Sequence, residues 1–296
     1  MKKSVSLLLA GLMLCGALTG CGGNNSTAEN TDSQTTESTT GTSGAIHVVS
    51  REDGSGTRVA FVELTGVEDD NGDNTTVEAE IANRTDAVLT TVAGNEAAIG
   101  YVSLGSLNDT VKAVTVDGVE ATVDNVKSGD YTLSRPFNIA TKGEPTGVAA
   151  DFIGFIMSAD GQAIVGEDYI TVNDNAEAFT SDGSSGHITV GGSSSVSPVM
   201  EQLIEAYKAV NPNAQIDLQT SDSTSGMTGA MDGTFAIGMA SRELKDEEAA
   251  ELTGTAIALD GIAVIVNTAN TVDNLTMDQI RSIYVGETTD WADVAA

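Results

Sequence analysis

One short pattern occurs three times in this 296-residue chain: an apolar, strand-like run, then a loop of Ser, Thr and Gly, then a helix-like run. The loops lie at residues 51–57, 192–197 and 222–226. Such a loop places free backbone N–H groups and hydroxyls at a helix N-terminus, where the helix dipole favours an anion. The pattern therefore predicts an α/β protein in which helix N-termini and Arg51 hold a small tetrahedral anion.

The runs beside each loop support this prediction. Residues 46–49 resemble a strand and 59–64 a helix around the first loop, where Gly54 and Gly56 permit a close approach of the backbone to a ligand. Apolar residues at 3.6-residue spacing predict a helix over 199–210, with Pro198 in its first turn. Neither glycine-rich nucleotide-binding pattern is present in the sequence.

The charge balance narrows the possible partners. The chain has 43 acidic and 13 basic residues, which gives a formal net charge of −30. Such a surface repels nucleic acid and anionic lipid, so no nucleic-acid partner is expected. An anion site on this protein must work against the overall field, and it therefore needs oriented dipoles and very few cations.

The N-terminus has the features of a secreted lipoprotein. Lys2 and Lys3 precede an apolar run from Val5 to Leu18, and residues 1–21 are predicted to be a signal peptide ending in the lipobox-like Leu-Thr-Gly-Cys. Cys21 is the expected lipidation site, although a cysteine placed there by chance is the alternative. Residues 22–45 are mostly small and polar, which predicts a flexible tether to the extracytoplasmic face of the cell membrane.

Catalytic and metal patterns are weak. His47 and His187 are the only histidines, and neither lies beside a nucleophile motif or in a ligand pattern. Cys15 and Cys21 both belong to the signal segment, so no thiol remains for a disulfide or a metal. We therefore expect no cofactor, no metal and no enzymatic activity; a phosphate-ester hydrolase would lack a base and a nucleophile.

Several segments together resemble the phosphate-binding proteins of bacterial phosphate ABC importers. They are 51–57, 98–101, 192–198, 237–244 and 258–264. The resemblance covers nearly all of residues 46–296 and implies a two-lobed periplasmic-binding fold of type II, each lobe a mixed sheet flanked by helices. It also implies that inorganic phosphate is captured in the cleft between the lobes and delivered to ABC permease and ATPase subunits.

The order of the segments differs from that family. The part that usually comes second, similar to 46–172, precedes the part similar to 188–295, and the polar residues 173–186 join them. The chain therefore resembles a circular permutant, with a truncated tandem copy or an assembly artefact as alternatives. On this view lobe I is residues 132–260, and lobe II is assembled from 46–131 and 261–296.

Ligand residues are carried over from the resemblance by matching positions. Lobe II would bind phosphate through Arg51, Ser55, Gly56 and Thr57, and lobe I through Ser194, Ser195, Ser223 and Thr224. Asp53 would orient Arg51, and closure would turn on a hinge near Ser134 and Asp260.

One position departs from the family pattern. Ser241 stands where well-known members have an aspartate that accepts the proton of hydrogen phosphate, which weakens the expected rejection of sulfate. Asp222 is a candidate replacement for that carboxylate. The alternatives to transport are a receptor for another oxyanion, or a surface-anchored sensor or adhesin that has kept the fold.

Overall fold

The structure is a computed structural model that describes residues 42–294. The predicted signal peptide with Cys21, and the tether up to residue 41, lie outside the described residues. Within the described part, the strands are β1 (His47–Arg51), β2 (Glu68–Asp69), β3 (Gly72–Asp73), β4 (Glu80–Ala82), β5 (Ala98–Ser103), β6 (Val111–Ala113), β7 (Thr115–Val116), β8 (Ser134–Thr141), β9 (Gly186–Ser193), β10 (Ala214–Ser221), β11 (Ile237–Ala240), β12 (Thr253–Asn267) and β13 (Asn274–Leu275).

Helices alternate with these strands. They are α1 (Gly56–Thr65), α2 (Thr85–Gly94), α3 (Val123–Ser128), α4 (Val148–Ile156), α5 (Ala159–Asp168), α6 (Ser197–Val210), α7 (Ser223–Asp232), α8 (Asp246–Ala249) and α9 (Met277–Tyr284). Short 3-10 turns occupy Leu104–Ser106 and Trp291–Asp293.

A single mixed sheet runs through both halves of the protein. Its strands lie in the order β10, β9, β11, β8, β12, β5, β1 and β4, and β6 also pairs with β12. Neighbours pair in parallel at the two ends of this order, where β9 pairs with β10 and β11, and β1 with β4 and β5. The central strands β8 and β12 are antiparallel to each other and to their outer neighbours.

The buried side chains form two separate main cores, one for each lobe. Lobe I packs apolar residues between 137 and 258 around α4, α5 and α6, with a small satellite cluster beneath α7. Lobe II packs residues from 48–133 and 262–294, together with Ile170. Leu133 belongs to the lobe II core, and β8, the strand that enters lobe I, begins at Ser134. These cores confirm the predicted α/β fold with two lobes.

Strands β8 and β12 connect the two lobes. Their register pairs Ser134 with Gly261 and Arg135 with Asp260, and β12 then continues into lobe II to pair with β5. Pro136 is paired with Leu259 at this crossing. Proline within a strand is typical of an edge position, but β8 has partners on both sides, and Pro136 lies where the chain crosses between the lobes.

The beginning and end of the described chain lie side by side in lobe II. The N–H of Ile46 donates to the carbonyl of Thr289 at 2.8 Å, and the N–H of Trp291 donates to that of Gly44 at 3.0 Å. Residues 173–185, which lie within lobe I between α5 and β9, form no helix or strand. They are held by the Asp151 carboxylate, which accepts from the Ser181 hydroxyl and the Asp182 N–H.

No single helix among residues 42–294 is long and apolar enough to cross a membrane. The pair α4 and α5 meets the length and composition test only together, with a bend of 57° between them. The apolar residues of this pair pack in the core of lobe I.

Candidate functional site

Four helices point their N-termini into the cleft between the lobes. Two of them, α1 and α2, belong to lobe II, and the other two, α6 and α7, belong to lobe I. Buried hydroxyls gather in front of these N-termini, and we call them the hydroxyl cluster: Thr57, Thr85, Ser193, Ser194, Ser195, Ser223 and Ser241. Each helix N-terminus adds a partial positive charge, so the cleft favours an anion.

The hydroxyl cluster is continuous across the cleft. Thr85 Oγ1 of lobe II lies 3.2 Å from the hydroxyl oxygens of both Ser194 and Ser195. Thr57 Oγ1 lies 2.9 Å from Ser195 Oγ and 3.3 Å from Ser241 Oγ. On the lobe I side, the Ser193 hydroxyl donates to Ser241 Oγ at 3.0 Å, and Ser223 Oγ is 3.5 Å from that atom. The predicted ligand residues of the two lobes are thus brought together.

Arg51 is the cation of lobe II that reaches the cluster. Its side chain is buried, and its Nη2 donates to Ser194 Oγ at 3.1 Å, across the cleft. Nε and Nη2 both donate to the Glu52 carboxylate at 2.8 Å. The expectation that Asp53 orients Arg51 is wrong: the Asp53 side chain is fully exposed and pairs with Arg58 at 3.0 Å. Glu52, the preceding residue, orients Arg51 instead, because its side chain lies on the buried side of the loop.

The backbone of Arg51 is anchored by Tyr101 on the adjacent strand β5. The Tyr101 hydroxyl accepts from the Arg51 N–H at 3.2 Å and lies 2.9 Å from Ser50 Oγ. The ring stacks on Phe61 of α1 with centroids 3.9 Å apart, and burial raises the pKa of Tyr101. The apolar core of lobe II therefore sets where the cationic loop lies.

The three other predicted residues of this loop begin α1. Ser55 is the N-cap, and its hydroxyl accepts from the Arg58 N–H at 3.3 Å. Gly56 packs against lobe I so closely that a Cβ there would lie 2.4 Å from Ser223 Oγ. Thr57 enters the hydroxyl cluster. Only glycine at position 56 lets the α1 N-terminus approach the opposite lobe at this distance.

Ser194 and Ser195 follow directly after β9. Gly192 has a φ of +136°, and a Cβ on it would lie 2.3 Å from the Met239 carbonyl oxygen, so glycine is required for this strand end. The Ser195 N–H donates to Ser193 Oγ at 3.3 Å, which folds the loop back toward α6. The loop thereby presents successive serine hydroxyls to the cleft.

The third loop divides its residues between different tasks. Ser223 enters the hydroxyl cluster, and its Oγ accepts from the Ser241 N–H at 3.1 Å. Thr224 lies outside the hydroxyl cluster. Its N–H, at 3.1 Å, and its hydroxyl, at 3.2 Å, both donate to the carbonyl of Gly54 in the opposite lobe. Asp222 caps α7, accepting from the N–H and the hydroxyl of Ser225. It is therefore engaged in its own helix and does not replace the missing aspartate at Ser241.

Two further buried arginines stand behind the cluster. Arg242 is held by Glu248 at 2.7 and 2.8 Å, and its Nη2 donates to Thr224 Oγ1 at 3.3 Å. Burial opposes ionisation of Glu248, but the hydrogen bonds from Arg242 and from the Lys245 N–H, together with the charges of both residues, outweigh it and lower the pKa of Glu248. Arg135 pairs with Asp260 at 2.7 Å, and burial raises the pKa of Asp260 to about 6 despite that positive charge.

Sequence reasoning missed several residues of this site. Thr85 follows β4 and begins α2, but its loop lacks the glycines that drew attention to the other three. Arg135 precedes Pro136 on a strand and gives no local sign that its side chain faces the cleft. Ser193 and Glu52 each lie next to residues that were recognised, and only the direction of their side chains could have included them.

Residues 42–294 contain no group of three or more His, Asp or Glu side chains arranged to hold a metal ion. His47 pairs with Glu80 and His187 with Asp217, each at 2.8 Å and partly exposed, near the opposite ends of β1 and β9 from Arg51 and Ser193. The cleft thus offers hydroxyls, backbone N–H groups and guanidinium groups, which are donors suited to an oxyanion.

Comparison with known proteins places the chain among binding proteins. A family model described as a PBP superfamily domain matches residues 25–160 and 177–296. Phosphate-binding protein PstS 2 of Streptococcus agalactiae serotype V is 46% identical over 301 residues, which cover 99% of this chain and 98% of that protein. PstS 2 of Streptococcus pneumoniae serotype 4 is 44% identical over 297 residues, covering 98% and 99%.

Two further similarities bear on structure and segment order. A solved structure of a phosphate-binding protein of a phosphate ABC transporter, from S. pneumoniae TIGR4, has a TM-score of 0.69 at 46% identity. It covers 85% of this chain and 100% of that chain. Phosphate-binding protein PstS of Bacillus subtilis is 35% identical over 134 residues, which are 44% of this chain and 42% of that protein.

Proposed function

This chain belongs to the PstS family of phosphate-binding proteins, and on that premise we propose that it closes its two lobes on inorganic phosphate and delivers it to an ABC importer. The permease and ATPase subunits of that importer are its proposed partners. The observation that carries the proposal is the hydroxyl cluster, in which donors from both lobes meet beside Arg51. Relatives that match nearly the whole chain are named as phosphate-binding proteins.

Neutral donors do most of the binding in this proposal. Hydroxyls and the backbone N–H groups at four helix N-termini donate hydrogen bonds to the phosphate oxygens, and Arg51 adds a charge-assisted contact. The proposed ligand residues are Arg51, Ser55, Gly56, Thr57, Ser194, Ser195 and Ser223. Thr224 contributes by holding Gly54 of the other lobe, which favours the closed arrangement.

Closure is proposed to turn on the crossing of β8 and β12. These two strands carry the chain between the lobes at Ser134 and Asp260, and they remain paired there. A small rotation at this crossing would separate Thr57 from Ser195 and open the cluster to solvent. The ligand then enters from the side and is enclosed when the lobes return.

The proposed location is the extracytoplasmic face of a bacterial cell membrane. Cys21 is the proposed lipid anchor, and residues 22–45 are the tether that holds the folded body away from the bilayer. A protein with a net charge of −30 is repelled by anionic lipid, so a tether of this length is consistent with a free cleft.

We also propose that the segment order is a genuine circular permutation. The S. agalactiae relative aligns over 99% of this chain, which implies the same order there, whereas the B. subtilis match spans less than half of each protein. A match limited to one segment is expected when two proteins differ in order. The contact between Gly44 and Trp291 supports it further, because permutation requires neighbouring chain ends.

Titration calorimetry of the purified protein with phosphate and with sulfate tests the function. We expect saturable binding of phosphate, and Arg51→Ala should weaken it by roughly 1.5–3 kcal/mol, the value of a charge-assisted hydrogen bond. Arg281→Ala is the control, because Arg281 lies in the same lobe and donates to the Gly66 carbonyl, outside the cleft. Absence of heat with phosphate would refute the phosphate-receptor function. Tighter binding of sulfate than of phosphate would indicate a receptor for another oxyanion. Absence of binding to either anion would favour a sensor or adhesin.

A further inference from the structure

Arg135 occupies the only place in the described chain where a buried guanidinium touches the lobe crossing and the hydroxyl cluster together. It lies on β8 opposite Asp260 of β12, at the crossing between the lobes. The residue is 3% exposed, and its guanidinium carbon stands 5.3 Å from the centre of the Phe137 ring. Its position is therefore fixed by packing as well as by hydrogen bonds.

The donors of Arg135 are divided between the two lobes. Nε donates to the carbonyl of Ser241 in lobe I at 3.2 Å. Nη1 donates to the carbonyl of Gly261 at 3.0 Å and pairs with Asp260 at 2.7 Å. Nη2 donates to Thr57 Oγ1 in lobe II at 3.2 Å. One rigid planar group thus sets the distance between the Ser241 loop and the α1 N-terminus.

The other two buried arginines use their donors differently. Arg51 and Arg242 each bind both oxygens of a neighbouring carboxylate. Arg135 contacts one carboxylate oxygen of Asp260 through Nη1 only, and its remaining N–H groups face neutral oxygens. Of the three guanidinium groups, that of Arg135 therefore donates the fewest hydrogen bonds to a carboxylate, and only the Thr57 hydroxyl separates it from the cleft.

A hydroxyl that accepts an N–H keeps its own proton to donate elsewhere. Arg135 Nη2 donates a hydrogen bond to Thr57 Oγ1. The Thr57 O–H therefore remains available to donate to an anion. We propose, resting on the proposed function, that Arg135 is a positioning residue of the phosphate site: it orients the Thr57 hydroxyl as a donor and holds that hydroxyl in register with the Ser241 loop when the lobes close.

A double-mutant cycle in the full-length protein tests this role, with phosphate affinity from titration calorimetry as the readout. Arg135→Lys keeps the charge but loses the planar set of donors, and we expect it to weaken phosphate binding about tenfold or more. In a protein that already carries Thr57→Val, Arg135→Lys should weaken phosphate binding by less than about twofold, because the hydroxyl that Arg135 orients is absent. Arg281→Lys, with the same chemistry outside the cleft, should leave the affinity unchanged.

A merely structural role would give a different pattern. Arg135→Lys would then lower the affinity by the same factor with Thr57 and with Val at position 57, and that result, or an unchanged affinity, would overturn the proposal. If Arg135→Lys does not fold, Arg135→Gln with Asp260→Asn removes both buried charges together, which is far less destabilising than removing one. This double variant should unfold near the wild-type temperature yet bind phosphate at least tenfold more weakly; wild-type affinity in it would also overturn the proposal.

The proposed function fails separately. Wild-type protein that does not bind phosphate refutes the receptor function, and the positioning role falls with it. Wild-type protein that binds phosphate, with no dependence on Arg135, refutes only the positioning role.

Discussion

Asp260 makes the folded protein less stable as the pH rises. Its side chain is 1% exposed, and burial raises its pKa from 3.8 to about 6, against the lowering effect of Arg135. Between these two values the folded chain holds a proton that the unfolded chain has released. The free energy of unfolding therefore falls as the pH rises through this window, by about 3 kcal/mol at 1.36 kcal/mol per pKa unit.

Asp260→Asn should abolish this dependence, since the amide does not titrate. The assay is urea unfolding of both proteins from pH 4 to pH 7.5, followed by the fluorescence of Trp291, the single tryptophan, which is buried in lobe II. The free energy of unfolding of the wild type minus that of the variant should decrease by about 2.4 kcal/mol between pH 4 and pH 7, because a small part of the change is already complete at pH 4. An offset from the now unpaired Arg135 is the same at every pH and leaves this slope unaffected.

Asp73→Asn is the matched control. Burial acts to raise the pKa of Asp73, but the hydrogen bonds from Thr75 and the charge of Arg58 lower it overall. Its stabilisation is present above the unfolded pKa and is lost as the pH falls through the folded value, so its difference from the wild type should not decrease as the pH rises. A constant or increasing difference for Asp260→Asn over pH 4–7 would refute the reasoning.

Two further predictions concern the cleft, and both are read by calorimetry with phosphate. Glu52→Gln should weaken phosphate binding several-fold, because the Glu52 carboxylate holds Nε and Nη2 of Arg51. Asp53→Asn, at an exposed side chain, should have no effect. Equal effects of the two changes would contradict the assignment of Glu52 as the partner of Arg51. Gly56→Ala should weaken binding at least tenfold, because the added methyl meets Ser223 Oγ at 2.4 Å and prevents closure. Gly94→Ala, where no atom lies within 4 Å of the added methyl, should bind normally.

Much of the fold was predictable because its signals are local. Apolar periodicity and a proline in the first turn predicted a helix over 199–210, and α6 spans Ser197–Val210. β12 is a long, mostly apolar run, and it continues from lobe I into lobe II. The three strand–loop–helix units all occur, since even the longest of them, from Gly186 to Val210, spans only 25 residues.

The partners of individual side chains were less accessible to sequence reasoning. Glu52 and Asp53 are adjacent carboxylates of similar reach, and their different roles follow only from which side of the loop faces the cleft. Thr85 begins α2, but its contact with Ser194 and Ser195 joins residues more than one hundred positions apart. No local pattern reports such a distance.

The sequence by itself therefore determined the elements, the family and the donor-rich loops, because hydrophobic period, glycine placement and loop chemistry act over short spans of chain. Only the tertiary structure decided which donors meet. Sheet register brings Arg135 opposite Asp260 at the lobe crossing, and the packing of two cores sets how closely Gly56 approaches Ser223. These arrangements depend on contacts between segments that are distant in sequence. In such contacts, the partner of each polar group is decided by where the group is buried rather than by its residue type.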